Sequence, residues 1–335
     1  MPETIDIAVV GATGLVGEAL VELLEERDFP VGTLYLLATG ESAGKSVAFR
    51  GRNLRVGKLS DFDFAKVRMA FLSTTADAAV ECSGLALAAG CSVIDLSGAA
   101  LAEQAVVALP AANADVLESL SLPARIAAPC APAAEVAEVL AALRDVLDVR
   151  QLSVTACLSA SALGREGVQE LARQTAELLN ARPLEPKLVD RQYAFNMLAQ
   201  VGVVDEQGHS ALERRMAAEL SSLFPALEGA LDVTCALAPV FFGDALMLSI
   251  TAGAPLSLDA LQAALDAAPG IERVDDDYPT VIGDAQGQDS VYVGRLRLGL
   301  TNSCKLNLWI ASDNVRKGAA LNAVNLGELL IKHYL

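Results

Sequence analysis

The chain is poor in cations, histidine and aromatic residues. Its 335 residues include 25 Lys and Arg against 42 Asp and Glu, which gives a formal net charge of −17 with the two histidines neutral. A nucleic-acid binder needs clustered cations that neutralise phosphates and release counterions, and this chain lacks such clusters. The composition therefore argues against nucleic acid as a partner.

The sequence also lacks segments that anchor or export a protein. No uninterrupted apolar run reaches the roughly 18 residues of a membrane span, and residues 1–6 do not begin a basic, apolar-cored signal peptide. We therefore expect a cytoplasmic protein without a membrane partner. The cysteines show none of the short Cys/His spacings of a metal site, so we expect no metal and free, mostly buried thiols at Cys82, Cys91, Cys130, Cys157, Cys235 and Cys304.

The chain is rich in hydrophobic residues, and its N-terminal pattern is typical of a nucleotide-binding fold. Hydrophobic residues make up 53% of it, enough to fill the cores of two domains. The β-branched run Ile5–Val10 leads into glycines at 11, 14 and 17, and leucines then recur at helical spacing. Glycines at this spacing allow a tight turn, a close approach to a pyrophosphate and packing of the helix on the strand. The alternative is an ordinary glycine turn of an α/β protein.

The turn after the second predicted strand, Thr33–Ala38, bears on the choice of nucleotide. In a dinucleotide fold this turn contacts the adenosine ribose, where a carboxylate accepts from a 2′-hydroxyl and repels a 2′-phosphate. Glu41 therefore favours NAD over NADP, although Lys45 lies close by in the sequence. The alternative is that Glu41 is an ordinary solvated surface residue.

The remaining pattern predicts a doubly wound parallel sheet followed by an α+β domain. In the first half, strands are predicted at 69–73 and 92–95 with a helix at 78–89, and the Ala-rich stretch 97–143 is interpreted as helix and loop. In the second half, predicted strands cover 152–157, 232–238, 245–251, 290–298 and 305–311, with helices at 168–179 and 322–330.

One cysteine stands where a reactive thiol is expected. Cys130 directly precedes an apolar helical pattern, and Pro132 suits the first turn of that helix. A helix N-terminus lowers the pKa of a thiol. Cys130 is therefore a candidate nucleophile, whereas the other five cysteines lie in or beside apolar runs and are interpreted as core residues.

Several segments together resemble the aspartate-β-semialdehyde dehydrogenase family over nearly the whole chain. They are the Gly11–Gly17 turn, Ser42–Lys45, Val93–Asp95, Ala194–Asn196, Tyr292–Arg297 and, most specifically, Asp313–Val324. The resemblance implies a Rossmann-type domain of residues 1–130 plus 317–335, a catalytic and dimerisation domain of residues 131–316, and a homodimer. It also implies cofactor contacts at Gly11, Thr13, Gly14, Leu15, Val16, Glu41, Ser42, Ser73 and Asn325.

The family uses a cysteine nucleophile, a histidine and substrate-binding arginines, and the sequence departs from this pattern where the chemistry lies. Cys130 keeps the sulfur between Pro129 and Ala131 instead of polar neighbours. The arginine position is Leu237, the histidine position is Asp244, the glutamine position is Leu158 and the arginine of the phosphate clamp is Leu101. Arg215 is the one residue expected to keep an anion contact.

We expect Asp244 to be a loop carboxylate bonded to backbone, the alternative being a desolvated base. The leading hypothesis is thus a Usg-like paralogue with impaired or lost dehydrogenase activity that keeps the fold, the dimer and a site for NAD or NADP. A second hypothesis is an active NAD-dependent aldehyde dehydrogenase in which Cys130 attacks a less anionic aldehyde, with Asp244 or water as base and Leu101, Leu158 and Leu237 lining the pocket. A third is a structural partner subunit that binds neither nucleotide.

Overall fold

The structure is a computed structural model that describes residues 4–99 and 105–334, without the side chains of Glu41, His333 and Tyr334. The chain forms two compact units: unit 1 is Met1–Cys130 with Ala319–Leu335, and unit 2 is Ala131–Gly318. The helices of the described chain are α1 (Leu15–Glu26), α2 (Ala76–Ala88), α3 (Pro110–Asn113), α4 (Ala131–Leu143), α5 (Gly164–Leu179), α6 (Ala211–Leu223), α7 (Leu258–Ala267) and α8 (Asn322–Tyr334).

The strands fall into one large sheet in each unit and one small hairpin. They are β1 (Ile5–Val10), β2 (Val31–Ala38), β3 (Ser46–Phe49), β4 (Arg52–Arg55), β5 (Gly57–Lys58), β6 (Met69–Leu72), β7 (Ser92–Asp95), β8 (Val106–Val107), β9 (Arg125–Ala127), β10 (Val149–Leu158), β11 (Leu231–Leu237), β12 (Asp244–Ala252), β13 (Ile271–Arg273), β14 (Val291–Leu298) and β15 (Lys305–Ser312).

Unit 1 is built on a parallel sheet of seven strands in the order β5-β2-β1-β6-β7-β9-β8. Strand β1 is buried along nearly its whole length, as expected of a parallel strand with helices over both faces. One core joins α1 and α8 to this sheet, and a second core joins α2 to it. The predicted doubly wound architecture of the first half is confirmed.

Unit 2 contains a mixed sheet of six strands in the order β11-β10-β12-β15-β14-β13. Its central strand pairs are antiparallel. The two edge strands pair in parallel with their neighbours, β11 with β10 and β13 with β14. Helix α4 is buried on nearly all sides and contacts α6, α7, β14 and β15. The opposite face carries half-buried and exposed residues such as Thr155, Met247 and Trp309. The predicted α+β second domain is confirmed.

The interpretation of residues 97–143 as helix and loop was incomplete. Strands β8 and β9 lie inside this stretch, and β9 pairs with β7 in the sheet of unit 1. Both strands are three residues or shorter, so they carry too little periodicity to be distinguished from loop. Among residues 4–99 and 105–334, no helix is both long and apolar enough to cross a membrane.

Candidate functional site

The glycine turn of unit 1 is sterically demanding. Gly11 has φ +83°, and a Cβ atom there would lie 1.9 Å from the carbonyl oxygen of Ser73. A Cβ atom at Gly17 would lie 2.1 Å from the carbonyl oxygen of Gly11. Both positions therefore need glycine for the strand, turn and helix to pack at all.

This turn lies at the switch point of the sheet, where β2 and β6 flank β1 on opposite sides. Gly11 follows β1 and Ser73 follows β6, so both stand at the carboxyl ends of neighbouring strands. Gly14 is the N-cap of α1, and Leu15 and Val16 are the first residues of the helix. Open α/β sheets bind ligands in the crevice at this point, where helix N-terminal amides face an anion. The structure thus brings together the predicted contacts at Gly11, Gly14, Leu15, Val16 and Ser73.

A cavity of about 490 Å³ lies beyond the carboxyl end of β2, between the Thr39–Gly40 turn and α2. Lys58 and Glu81 provide the charged groups of its lining. The turn continues through Ser42, whereas the side chain of Glu41 is outside the described part of the structure. Asn325 lies half-buried on α8. This cavity has a volume suited to a small organic ligand.

Cys130 is the last residue of unit 1 and is half-buried. The helix predicted to follow it begins at Ala131. Cys157 and Cys304 are also half-buried, and Cys82, Cys91 and Cys235 are buried, so the expectation of mostly buried thiols is met by three of the six. Burial raises the pKa of Cys91 and of Cys235 to about 12, with the charge of Glu213 a further cause at Cys235, so these two are inert core thiols.

Asp244 is not the loop carboxylate that we expected. It is the first residue of β12 and has no solvent exposure, and its Oδ1 accepts the backbone N–H of Ser159 at 3.3 Å. Its Oδ2 is buried and accepts no hydrogen bond from any described residue. Burial, with the charge of Asp313, raises the pKa of Asp244 to about 7, and the bond from Ser159 opposes that shift. The desolvated alternative is the one that the structure supports.

Gly243 positions this carboxyl group. It has φ +84°, and a Cβ atom there would lie 2.9 Å from the Cβ of Val281 and 3.1 Å from the carbonyl oxygen of Ser312. Its N–H donates to Asn314 Oδ1 at 3.1 Å, and the Ser161 hydroxyl donates to the same oxygen at 2.9 Å. Close packing and hydrogen bonds therefore fix the start of β12.

Sequence reasoning missed Glu135, which lies on α4 and is 1% exposed. Burial is the main cause that raises the pKa of Glu135 well above its ordinary value, and the charge of Asp244 adds to it. One helical turn further on, Glu138 forms a buried salt bridge with Lys317 at 2.8 Å. Two glutamates in an otherwise apolar helix were the signal that could have identified this cluster.

Arg215, the predicted anion contact, lies on α6, and its Nε donates to Oε1 of the buried Glu219 at 2.7 Å. Its contact with a substrate anion stays a prediction. The proposed pocket leucines differ from expectation. Leu158 and Leu237 are register partners in β10 and β11 and are 0% and 1% exposed, so they are core residues, and Leu101 lies outside the described residues.

Among residues 4–99 and 105–334, no group of three or more His, Cys, Asp and Glu side chains has the geometry of a metal site. Unit 1 thus presents a dinucleotide-type crevice, and unit 2 presents a buried carboxyl cluster next to a mixed sheet. The class that this combination defines is a two-domain α/β protein with a Rossmann-type nucleotide-binding domain.

Comparisons with known proteins make the class specific. Residues 6–120 match the NAD-binding domain of semialdehyde dehydrogenase, and residues 140–317 match its dimerisation domain. A protein of Pseudomonas aeruginosa described as a USG-1 protein homolog is 59% identical over 336 residues and covers all of both chains. The chain belongs to the aspartate-semialdehyde dehydrogenase family.

Two solved structures show how closely the fold follows this family. A probable aspartate-semialdehyde dehydrogenase from Pseudomonas aeruginosa has a TM-score of 0.97 at 59% identity, with 99% of this chain and 100% of that chain covered. Aspartate semialdehyde dehydrogenase II from Vibrio cholerae, complexed with ASA, has a TM-score of 0.95 at 34% identity and the same coverage. The predicted family resemblance is confirmed.

Proposed function

We propose that this protein keeps the nucleotide-binding fold and the dimer of its family but has impaired or lost semialdehyde dehydrogenase activity. The observation that carries the proposal is Asp244, which stands at the family's histidine position. Asp244 is fully buried and carries no positive charge in either protonation state, whereas an imidazole becomes a cation when it takes up a proton. Leu237, at the arginine position, adds no charge for a substrate anion.

The size of the loss follows from ordinary magnitudes. A positioned acid or base contributes about 10²- to 10⁴-fold to a rate. Each charged hydrogen bond to a substrate anion contributes about 1.5–3 kcal/mol, or roughly 10- to 100-fold. Replacement of one histidine and two arginines therefore costs several orders of magnitude, even when non-additivity is allowed for.

The test is oxidation of aspartate semialdehyde with phosphate and either NAD or NADP, with the Vibrio cholerae enzyme as positive control. We expect turnover at least a hundredfold below the usual range of about 1–10³ s⁻¹. Turnover within that range would show that the chain has found another acid–base group. The variant D244H should raise turnover without restoring it to that range, because positions 101 and 237 still hold leucine and supply no cation for the substrate anion.

We infer that NAD is the preferred nucleotide because Glu41 repels a 2′-phosphate. Calorimetric titration with NAD and with NADP measures this preference separately from turnover. The variant E41R should shift the preference towards NADP, whereas E22R, which makes the same charge change on the exposed side of α1, should not. Absence of affinity for both nucleotides would instead favour a structural partner subunit.

We infer a homodimer that forms through the open face of the sheet in unit 2. Met247 is 45% exposed on this face, and a cavity of about 310 Å³ lies between it, Trp309 and Arg295. The variant M247E should dissociate the dimer in analytical ultracentrifugation, because it places a charge in an apolar contact. D259K, on the exposed first turn of α7, is the control and should leave the mass unchanged.

A second candidate function rests on the same carboxyl group. A group with a pKa of about 7 is well placed for general-base catalysis near neutral pH, which suits an active dehydrogenase with an uncharged aldehyde. Thiol titration of Cys130 distinguishes the two functions. It is carried out in the variant C157A/C304A, which lacks the other two half-buried thiols. A thiolate that still reacts near pH 6 favours the active enzyme, and a pKa above the free value of about 8.5 favours the disabled one.

A further inference from the structure

The carboxyl cluster of unit 2 contains more negative groups than its partners can neutralise. Glu135 and Glu138 lie on α4, Asp244 begins β12, and Asp313 follows β15. All four side chains belong to buried residues. Lys317 reaches the cluster, but its ammonium group is bound to Glu138 at 2.8 Å. Asp313 is stabilised differently, because it accepts the backbone N–H groups of Gly287, Val315 and Arg316 at 2.8–3.0 Å.

Glu135 and Asp244 are left without comparable support. Both oxygens of Glu135 and the Oδ2 of Asp244 are buried and accept no hydrogen bond from a described residue. An ionised carboxylate without partners in such a place costs several kcal/mol, so a buried carboxyl group keeps its proton instead. The hydroxyl of Ser312, which is also buried, lies next to Glu135 and faces Asp244 across the sheet as its register partner.

The 313–318 turn packs closely against Glu135. A Cβ atom at Gly318 would lie 2.7 Å from Glu135 Oε1 and 2.6 Å from the Cβ of Ala131. The backbone of the 313–318 turn is held by the N–H of Gly318, which donates to the carbonyl oxygen of Asp313 at 2.8 Å. The carboxyl group of Glu135 is therefore confined between α4 and this turn, on the side of β12 and β15.

We infer that Glu135 and Asp244 form a carboxyl pair that keeps at least one proton at neutral pH, so that unit 2 carries a buried proton-holding site where its relatives carry a histidine. The inference goes beyond the proposed function, because such a pair can hold a proton in an active or an inactive protein. At low pH both members are neutral. As the pH rises, Asp244 releases its proton to solvent, and its negative charge then helps to keep the proton on Glu135.

The other titratable groups around the pair act in the same direction. Burial raises the pKa of Cys157 on β10, of Cys235 on β11 and of Tyr193, and the charge of Asp244 adds to each of these shifts. Glu138 and Asp313 add negative potential at Glu135, whereas the Ser159 N–H and the Ser312 hydroxyl offset part of it. Lys317 is the described cation of the cluster and is engaged by Glu138. Proton uptake is therefore the way in which this cluster limits its charge.

Infrared spectroscopy of the whole protein tests the pair directly, since a protonated carboxyl group has a carbonyl stretch that a carboxylate lacks. At about pH 8, with other groups near their ordinary pKa values, we expect the wild type to show this band. Labelling of glutamate with carbon-13 at its side-chain carboxyl should shift the band, which assigns it to glutamate. In E135Q the band should be lost, and in E138Q it should remain.

Stability measurements separate the two glutamates further. E135Q should keep or raise the denaturation midpoint at about pH 8, because glutamine resembles the protonated acid. E138Q should lower the midpoint, because it leaves Lys317 buried without its carboxylate. Absence of the glutamate band from the folded wild-type protein would overturn the inference. A decrease of the denaturation midpoint in E135Q as large as that in E138Q would also overturn it. The labelled wild-type spectrum decides the matter even where a variant fails to fold.

Discussion

Unit 1 and unit 2 differ in how far they follow the residue pattern of their family. Unit 1 contains the glycine turn, and unit 2 carries Leu237 and Asp244 at the positions where the family resemblance implies an arginine and a histidine. In unit 1 the glycines are required by packing, since a Cβ atom at Gly11 would overlap the carbonyl oxygen of Ser73. The glycine turn can thus be explained by packing alone, whereas a fully buried polar group such as Asp244 in unit 2 is costly to keep. A retained fold motif is therefore weaker evidence of function than a retained polar group.

The largest expected effect belongs to the buried salt bridge of unit 2. K317M removes the ammonium group that binds Glu138, where both side chains are at most 7% exposed. We expect a loss of about 3–5 kcal/mol, because the buried carboxylate of Glu138 loses its ion pair with Lys317. Urea denaturation followed by the fluorescence of Trp309, the single tryptophan, reports unit 2. The double variant K317M/E138Q should recover part of the lost free energy of unfolding. If the double variant loses as much as K317M alone, packing and not charge is responsible.

The next effect concerns the glycine turn of unit 1. G11A introduces a Cβ atom 1.9 Å from the Ser73 carbonyl oxygen at a positive φ, and we expect a loss of about 2–4 kcal/mol. Far-UV circular dichroism should show the loss, while the Trp309 fluorescence transition moves less. G84A is the control, since Gly84 lies in α2 with open space around it and alanine should stabilise the helix by up to about 1 kcal/mol. Equal transitions for G11A and wild type would contradict the steric account of the turn.

The third effect is a pH dependence that has its origin in unit 2. Burial raises the pKa of Asp244 from 3.8 to about 7, so the native state holds a proton that the unfolded state releases. The free energy of unfolding should therefore fall as the pH rises from about 4 to 7, by at most about 4 kcal/mol. D244N should flatten this decline. The free energy of unfolding of D244N minus that of the wild type should therefore be larger at about pH 8 than at about pH 5.

Asp205 provides the control of opposite sign. Its bonds from the backbone N–H of His209 and from Arg214 lower the pKa of Asp205 to about 2, so its contribution is present above its unfolded pKa and is lost as the pH falls towards 2. D205N should therefore lose relative stability at neutral pH and not at acid pH. A D244N profile with the same sign as that of D205N would refute the raised pKa of Asp244.

The smallest effect belongs to the surface of unit 1. Arg27, the C-cap residue of α1, donates two hydrogen bonds to Glu328 on α8, with side chains 37% and 32% exposed. R27A should cost only about 0.2–1 kcal/mol, because solvent and salt screen the pair. The loss should shrink further in high salt, whereas the loss in K317M should not. A loss in R27A comparable to that in K317M would remove the distinction between the two pairs.

Long patterned elements of this protein were predictable because their residues show strong periodicity. Strands β1 and β6 and the helices after them follow the apolar patterns closely, whereas β8 and β9 were missed because two or three residues carry no period. For the site, the departures at positions 158, 237 and 244 could be found from the sequence. The partner of Asp244 could not, because Glu135 lies more than a hundred residues earlier, and only the packing of α4 near β12 and β15 relates them.

Local sequence by itself determined the strand, glycine turn and helix of unit 1, the family and the presence of an aspartate at position 244, since these depend on residue types and short-range spacing. Only the tertiary structure decided the protonation behaviour of Asp244. Asp244 would be an ordinary ionised acid in solvent, and it becomes a proton-holding group because long-range packing removes water and places Glu135, Asp313 and Ser312 around it. The physical reason is that the pKa of an acid depends on the surroundings that the whole fold creates.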